Sequence, residues 1–127
     1  MMPDVTAKLI SRRDLEFLLY EWLDVERLCA RPRFADHSRE TFDSVLSSAE
    51  RIAVERFLPH RRRSDLEEPV SDGERVRLLP EIKSALAAFA DAGLLAATCD
   101  YELGGMQLPV VVDKAAFAAA NADYTAR

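Results

Sequence analysis

The sequence is poor in the residues from which most small active sites are built. Its 127 residues include only two histidines, two cysteines and four glycines. Neither histidine lies at metal-ligand spacing from a cysteine or from the other histidine. The motifs G-x-G-x-x-G, G-x-x-x-x-G-K-[ST] and G-x-S-x-G are also missing. We therefore predict no metal site, nominate no catalytic residue, and expect His37 and His60 at the surface or at helix ends.

Further absences bear on location and partners. No basic segment followed by an apolar one opens the chain, so no signal peptide is visible. No uncharged apolar stretch approaches the roughly 18 residues that suggest a membrane span. The net charge of −5 disfavours binding through nucleic-acid phosphates, and with it a DNA-binding regulator. We expect a cytoplasmic protein with no membrane span and no nucleic-acid partner, in which Cys29 and Cys99 are reduced core thiols.

What the sequence does contain is helical periodicity over the length of one domain. Ser11 and Ser38 are placed as N-caps, and Pro80 and Pro109 as the first residues of helices. The predicted fold class is all-α, a small helical bundle formed by residues 1–127, with residues 1–12 flexible. The first helix carries an apolar stripe and further apolar residues off it, so we expect it to need more than one packing partner. The stripe is Leu15, Leu18, Leu19, Trp22 and Val25.

Three later segments depart from a simple amphipathic pattern. Residues 85–97 have Asp91 as their only polar side chain, so we predict that they are buried on most sides. The three valines after Pro109 fit either a helix or a short strand. Residues 60–74 are polar, contain Pro69 and Gly73, and are predicted to be a surface excursion. Their run of arginines, 61–63, is either a solvated helix end or a contact for a phosphate-bearing ligand or an acidic partner.

The stretch "EIKSALAAFADAGLLAATCDYELGGMQLP" resembles the N-terminal α-helical domain of the acyl-CoA dehydrogenases. In that family a helix ends in an Ala-Gly-Leu turn, and an acidic-aromatic stretch and a Gly-Gly loop lead into the next helix. The matching pieces here are Ala92-Gly93-Leu94, Tyr101-Glu102 and Gly104-Gly105. Upstream, "FDSVLSSAERIAVERFLPHRRRSD" resembles the preceding helix of the family. "FLLYEWLDVERL" resembles the extra segment of a longer bacterial subgroup similar to methylmercaptopropionyl-CoA dehydrogenase, so the resemblance spans residues 13–122.

The resemblance implies a flavoenzyme of fatty acid metabolism. Complete members hold FAD between a middle β-domain and a C-terminal four-helix domain and oxidise acyl-CoA thioesters to 2-enoyl-CoA. Their catalytic base is a carboxylate in the C-terminal part of the fold. The sequence ends at Arg127, so we expect the chain alone to lack that base and most flavin contacts, and to bind no FAD. The implied partners are the middle and C-terminal domains or a second copy, with acyl-CoA as ligand of the complete enzyme.

By resemblance, the helix after the Gly-Gly loop lies near the acyl end of the substrate. The loop itself, with Tyr101, Gly104 and Gly105, is expected to let two helices reverse around a shared pocket wall. The alternative interpretation of the chain is a stand-alone helical module that binds a protein or an acyl chain without redox activity. For each wall residue, plain helix packing is the competing interpretation. The residues assigned to the wall are Val112, Ala116, Phe117 and Ala120.

Overall fold

The fold is given by a computed structural model, which describes the backbone of residues 10–125 and the side chains of residues 10–121. The expectation of flexibility for residues 1–12 falls mostly on residues 1–9, which lie outside the described residues. Ser11 and Arg12 already form the start of the first helix, because the Ser11 hydroxyl accepts a hydrogen bond from the Asp14 amide at 3.2 Å. This is the predicted N-cap.

The described residues are mostly helical, with one short hairpin, which agrees with the predicted all-α class. Helix α1 begins as an α-helix at Arg12–Glu16 and continues as a π-helix at Phe17–Trp22. Helix α2 is Arg39–Ile52, extended by a π-helical turn at Ala53–Phe57. The remaining elements follow in chain order: α3 at Arg61–Leu66, β1 at Val70–Ser71, β2 at Val76–Arg77, α4 at Pro80–Asp91 and α5 at Val110–Thr125.

The π-helical turn of α1 changes which side chains face the core. The Leu23 amide bonds the Leu18 carbonyl at 2.9 Å, an i→i+5 bond that places one more residue in the turn than an α-helix has. As a result Leu19 and Tyr20 are buried, while Leu18 and Trp22 point outward. The predicted apolar stripe is therefore wrong at Leu18 and Trp22, because it assumed α-helical periodicity throughout.

Helix α2 begins where the sequence predicts. Ser38 and Thr41 form a capping box, in which each side chain meets the backbone of the other residue. At the other end, Pro59 lies in a 3-10 turn, Leu58–His60, where the helix changes direction before α3. The loss of one backbone N–H at proline explains the break.

The core is formed mainly where α2 packs against α5. Phe42, Leu46 and Ala49 of α2 and Val112 and Ala116 of α5 are all nearly or completely buried. The three valines at the start of α5 are helical, since α5 begins at Val110 directly after Pro109. Leu19 and Tyr20 of α1, and Phe89 of α4, complete the same cluster.

The prediction of burial on most sides is wrong for residues 85–97. Helix α4 starts at Pro80 and the chain reverses at Gly93, which has φ of +80°, both as predicted. However, Leu86 is 51% exposed and Leu95 is 71% exposed. This segment packs by one side only, through Ala85, Phe89 and Leu94, so its excess of apolar residues faces outward.

The surface excursion contains structure that the sequence analysis missed. Residues 70–77 form an antiparallel hairpin in which Val70 pairs with Arg77 and Ser71 with Val76. The Asp72 carboxylate accepts hydrogen bonds from the amides of Glu74 and Arg75, and these bonds hold the pKa of Asp72 below its usual range. Asp72-Gly73 was the signal for this turn, but the flanking strands are too short to show alternation.

A polar cluster fastens α1 to α2. The Tyr20 hydroxyl donates to the Asp43 carboxylate at 2.5 Å, and the Arg39 guanidinium stacks 4.0 Å from the Tyr20 ring centre. Arg12 pairs with Glu50 at 3.2 Å and with Asp43 at 3.6 Å. Burial first, and then the bond to Asp43, raise the pKa of Tyr20 above its ordinary value. The hydroxyl therefore stays protonated and keeps donating.

We predict that Tyr20→Phe lowers the free energy of unfolding by about 1 kcal/mol, because it removes one hydrogen bond without opening a cavity. Urea denaturation measures the change. Because the folded-state pKa of Tyr20 is raised, its contribution is complete below about pH 10, the ordinary tyrosine pKa, and falls as the pH rises beyond it. Tyr101→Phe is the matched control, since Tyr101 is exposed. Equal stabilities for the two variants would contradict the role given to the hydroxyl.

Candidate functional site

The Gly-Gly loop, here residues 98–108, is a compact hydrogen-bonded structure between α4 and α5. The Gly105 amide donates to the Asp100 carbonyl at 3.0 Å, and the Gln107 amide donates to the Cys99 carbonyl at 3.0 Å. The Leu108 amide reaches back to the Ala97 carbonyl at 2.9 Å. These bonds fold the loop onto the residues that precede it, so the start of α5 is held in one position.

The segment between α1 and α2 fixes this loop from outside. The Arg33 guanidinium contacts the Asp100 carboxylate at 2.6 Å and donates to the Thr98 carbonyl at 3.1 Å. His37 Nε2 lies 2.9 Å from the Met106 carbonyl and 3.0 Å from the Gln107 carbonyl. Because both partners are acceptors, Nε2 carries the proton. His37 is therefore a half-buried structural donor rather than a free surface base.

The Gln107 side chain of the loop also bonds to the segment between α1 and α2. Its side-chain amide nitrogen donates to the Arg33 carbonyl at 3.2 Å, and its side-chain oxygen accepts from the Tyr101 amide at 3.2 Å. Gln107 has a positive φ of 50°, which costs a non-glycine residue some strain. The two hydrogen bonds offset that strain. Sequence reasoning missed Arg33, His37 and Gln107, since their partners are about 65–74 residues away in the chain.

The two glycines of the loop have different roles. Gly104 has φ of +81° and open space where a Cβ would lie, so only its backbone angle favours glycine. A Cβ on Gly105 would overlap the backbone carbonyl of Cys99 and lie 2.7 Å from the Ala96 carbonyl oxygen. Gly105 is therefore required for the close approach of two backbone segments. Tyr101, which begins the 3-10 turn before these glycines, is exposed.

The four residues predicted to line an acyl pocket do not share one surface. Val112, Ala116 and Ala120 are 0–1% exposed and belong to the core cluster formed with α2. Phe117 is 54% exposed on the other side of α5. Val110, also on α5, is 61% exposed. Of the four predicted wall residues, only Phe117 is accessible to a ligand or a partner.

An open cleft of about 520 Å³ lies between the start of α5 and a 3-10 helix, Val25–Ala30. Leu23, Val25, Leu28 and Val111 form its apolar part. Arg27 and Arg31 are cationic groups on its wall, and Asp24 is acidic. A volume of this size is within the range of small-molecule sites, although the cleft is open to solvent.

The remaining candidate residues are structural. Cys99 is exposed, so its prediction as a core thiol is wrong, while Cys29 is half-buried, and both thiols are free. His60 is 4% exposed, so a surface position is wrong for it, but it does stand at a helix end, directly before α3 and beside the Phe57 ring. Between residues 10 and 121, no three His, Cys, Asp or Glu side chains are grouped to hold a metal ion. In the same part of the chain, no helix has the length and apolar content for a membrane crossing.

No protein-family model, curated protein or solved structure matches this chain.

We predict that Gly105→Ala destabilises the fold more than Gly104→Ala. At Gly104 the cost is the strain of a left-handed backbone, about 1–2 kcal/mol. At Gly105 the new methyl group meets backbone that has no room to move, so the loop must separate from residues 96–99. Urea denaturation of both variants provides the comparison. A Gly105→Ala protein as stable as the wild type would show that the close approach described here is not formed.

We also predict that a thiol reagent modifies Cys99 well before Cys29. Cys99 is accessible, whereas burial, and then the nearby Glu26, raise the pKa of Cys29 and reduce its thiolate fraction. Peptide mass mapping after brief treatment with iodoacetamide identifies the order. Urea-unfolded protein is the control, in which both cysteines should react at similar rates. Faster modification of Cys29 in the folded chain would contradict the burial assigned to it.

Proposed function

We propose that this chain is the N-terminal helical domain of an FAD-dependent acyl-CoA dehydrogenase, whose complete form oxidises acyl-CoA thioesters to 2-enoyl-CoA. The observation that supports the proposal most is the unit formed by α4, the Gly-Gly loop and α5. A helix ends at a left-handed Gly93, a hydrogen-bonded loop follows, and a second helix begins at Val110 with apolar side chains on its outer side. The order of these parts is the one that the sequence resemblance implies.

In the proposal, this domain by itself holds no flavin. The open cleft beside α5 has no glycine-rich phosphate-binding turn. In the Gly-Gly loop, the backbone amides of Gly104, Gly105 and Gln107 donate to carbonyls of the same loop. In the proposal, FAD and the catalytic base therefore belong to the middle and C-terminal domains. This domain contributes apolar surface for packing between domains and for the acyl end of the substrate.

The residues available to contact a substrate or a neighbouring domain differ from those predicted. Val112, Ala116 and Ala120 hold α5 against α2, so their effect on a substrate is indirect. Phe117 and Val110 are the α5 side chains available to touch an acyl chain or a neighbouring domain. Exposed large apolar residues that lie together mark interaction sites. Leu86, on α4, and Leu95, in the turn that follows α4, are further exposed apolar residues.

The runner-up function is a stand-alone helical module that binds a protein or an acyl chain without redox chemistry. The observation that favours it is the closed core between α2 and α5, which buries its apolar residues without help from another domain. A chain with such a core can fold by itself. The two functions differ in what accompanies the chain, not in its own fold.

The test is to determine the coding sequence directly downstream and to express the joined product. We predict that the continuation, in frame or shifted, encodes a β-domain and a four-helix domain. The joined product should bind FAD, and its flavin absorbance should bleach when an acyl-CoA is added. An unrelated downstream sequence, or a joined product without flavin, would overturn the proposal and favour the stand-alone module.

In the joined product, Phe117→Ala should raise the KM for acyl-CoA or weaken domain docking, since Phe117 lies on the accessible side of α5. Leu66→Ala is the control, because Leu66 is also an exposed apolar residue but lies on α3. Val112→Ala should instead lower the thermal stability, as its side chain is fully buried. A Phe117→Ala enzyme with unchanged KM and unchanged stability would remove Phe117 from the site.

A further inference from the structure

Helix α1 has an outer face that packs against no other described part of the chain. All six residues of this outer face are exposed, with Phe17 at 51% and Trp22 at 70%. The opposite side of α1, with Leu15, Leu19 and Tyr20, packs on the core. The α1 outer face is defined by Arg13, Asp14, Phe17, Leu18, Glu21 and Trp22.

These six residues form two rows along the helix. Arg13, Phe17 and Glu21 are in the first row, and they line a groove of about 370 Å³ together with Tyr20, Arg39 and Glu16, whose carboxylate pairs with Arg12. Asp14, Leu18 and Trp22, each exposed and one position further along α1, form a second row beside the first. Each row has an apolar residue at its centre. The first row has a cation at its N-terminal end and an anion at its C-terminal end.

The charges at the ends of the first row have no partner within the described chain. Arg13 and Glu21 form no ion pair there. In contrast, Arg12 of α1 and Arg39 of α2 each pair with Asp43. Their order along α1 matters. A copy of the same row running in the opposite direction would place Glu21 opposite Arg13 and Arg13 opposite Glu21.

We propose that the α1 outer face binds the same face of a second copy of this chain, with the two α1 helices antiparallel about a two-fold axis. A two-fold axis perpendicular to both helices brings each row against its own copy. Phe17 then meets Phe17 of the second copy, Leu18 meets Leu18, and Arg13 pairs with Glu21 at both ends. Trp22 lies opposite Asp14, whose carboxylate can accept from the indole N–H. This inference does not depend on the proposed enzyme function.

Charge decides between the two possible directions. In a parallel pair Arg13 would face Arg13 and Glu21 would face Glu21, and like charges at close range disfavour that arrangement. The contact is small, because each copy contributes one helix of three turns. It belongs with the weak interfaces that bury less than about 1,200 Å². We therefore expect a dimer that dissociates on dilution.

A charge-swap experiment tests the interface. Sedimentation velocity over a roughly hundredfold concentration range should show that the wild-type chain converts from monomer to dimer. Arg13→Glu should weaken dimerisation at least about tenfold, as should Glu21→Arg, and the double variant should restore it. Lys83→Glu is the matched control, since it makes the same charge change at an exposed position on α4. A wild-type chain that is monomeric throughout, or a dimer unaffected by Arg13→Glu, would overturn the proposal.

Directed crosslinking tests the antiparallel geometry in a Cys29→Ser, Cys99→Ser background. With oxidised glutathione as the oxidant, Phe17→Cys should give a disulfide-linked dimer, because position 17 lies next to the axis. Arg13→Cys should not, since the two copies of position 13 are separated by roughly 12 Å along the helices, too far for a disulfide. Crosslinking at both positions would indicate parallel helices. That result, or crosslinking at neither position, would contradict the arrangement.

Discussion

Small side chains set the distance between α2 and α5. Ala49 on α2, and Ala116 and Ala119 on α5, are essentially fully buried, with Phe42, Leu46 and Val112 filling the space around them. Packing of this density tolerates little change in volume, so the two helices hold one relative position. The Gly-Gly loop must connect α4 to the fixed start of α5. This connection brings position 105 against the Cys99 backbone, where only glycine fits. The polar cluster of Arg12, Tyr20 and Asp43 adds α1 to this pair from the other side.

This constraint separates the inner surfaces of the helices from the outer ones. The inner sides of α4 and α5 are closed by residues of the chain itself, while Leu86, Leu95, Val110 and Phe117 are left outside. Apolar residues on the outside are the physical basis for assigning a docking role to this domain. The proposal of an acyl-CoA dehydrogenase domain goes further and depends on the order of short motifs in the sequence. The closed core indicates a domain that folds by itself. The exposed apolar residues indicate a domain that packs against another domain or protein.

The sequence predicted those features whose causes are local. N-caps at Ser11 and Ser38, the helix start at Pro80 and the turn at Gly93 all depend on residues within a few positions of one another. The start predicted at Pro109 was one residue early, since α5 begins at Val110. Features that depend on distant contacts were not predictable. The exposure of Leu18 and Trp22 results from a π-helical turn, which no single residue signals. The bonds of Arg33 and His37 to the Gly-Gly loop join segments more than 60 residues apart. For the same reason the wall residues on α5 could be placed on a helix, but not on its inner or outer side.

The central claim is that α2 and α5 form one closed core within this chain, with the Gly-Gly loop fixed between them. Hydrogen–deuterium exchange on the isolated chain, followed by mass spectrometry, tests it most directly. The account predicts that amides of residues 42–49 and 112–120 exchange slowest and at similar rates, that residues 105–108 are also protected, and that the hairpin at 70–77 exchanges early. If α5 exchanged as fast as the hairpin while α2 stayed protected, the core would not be closed without a partner. The account would then be contradicted.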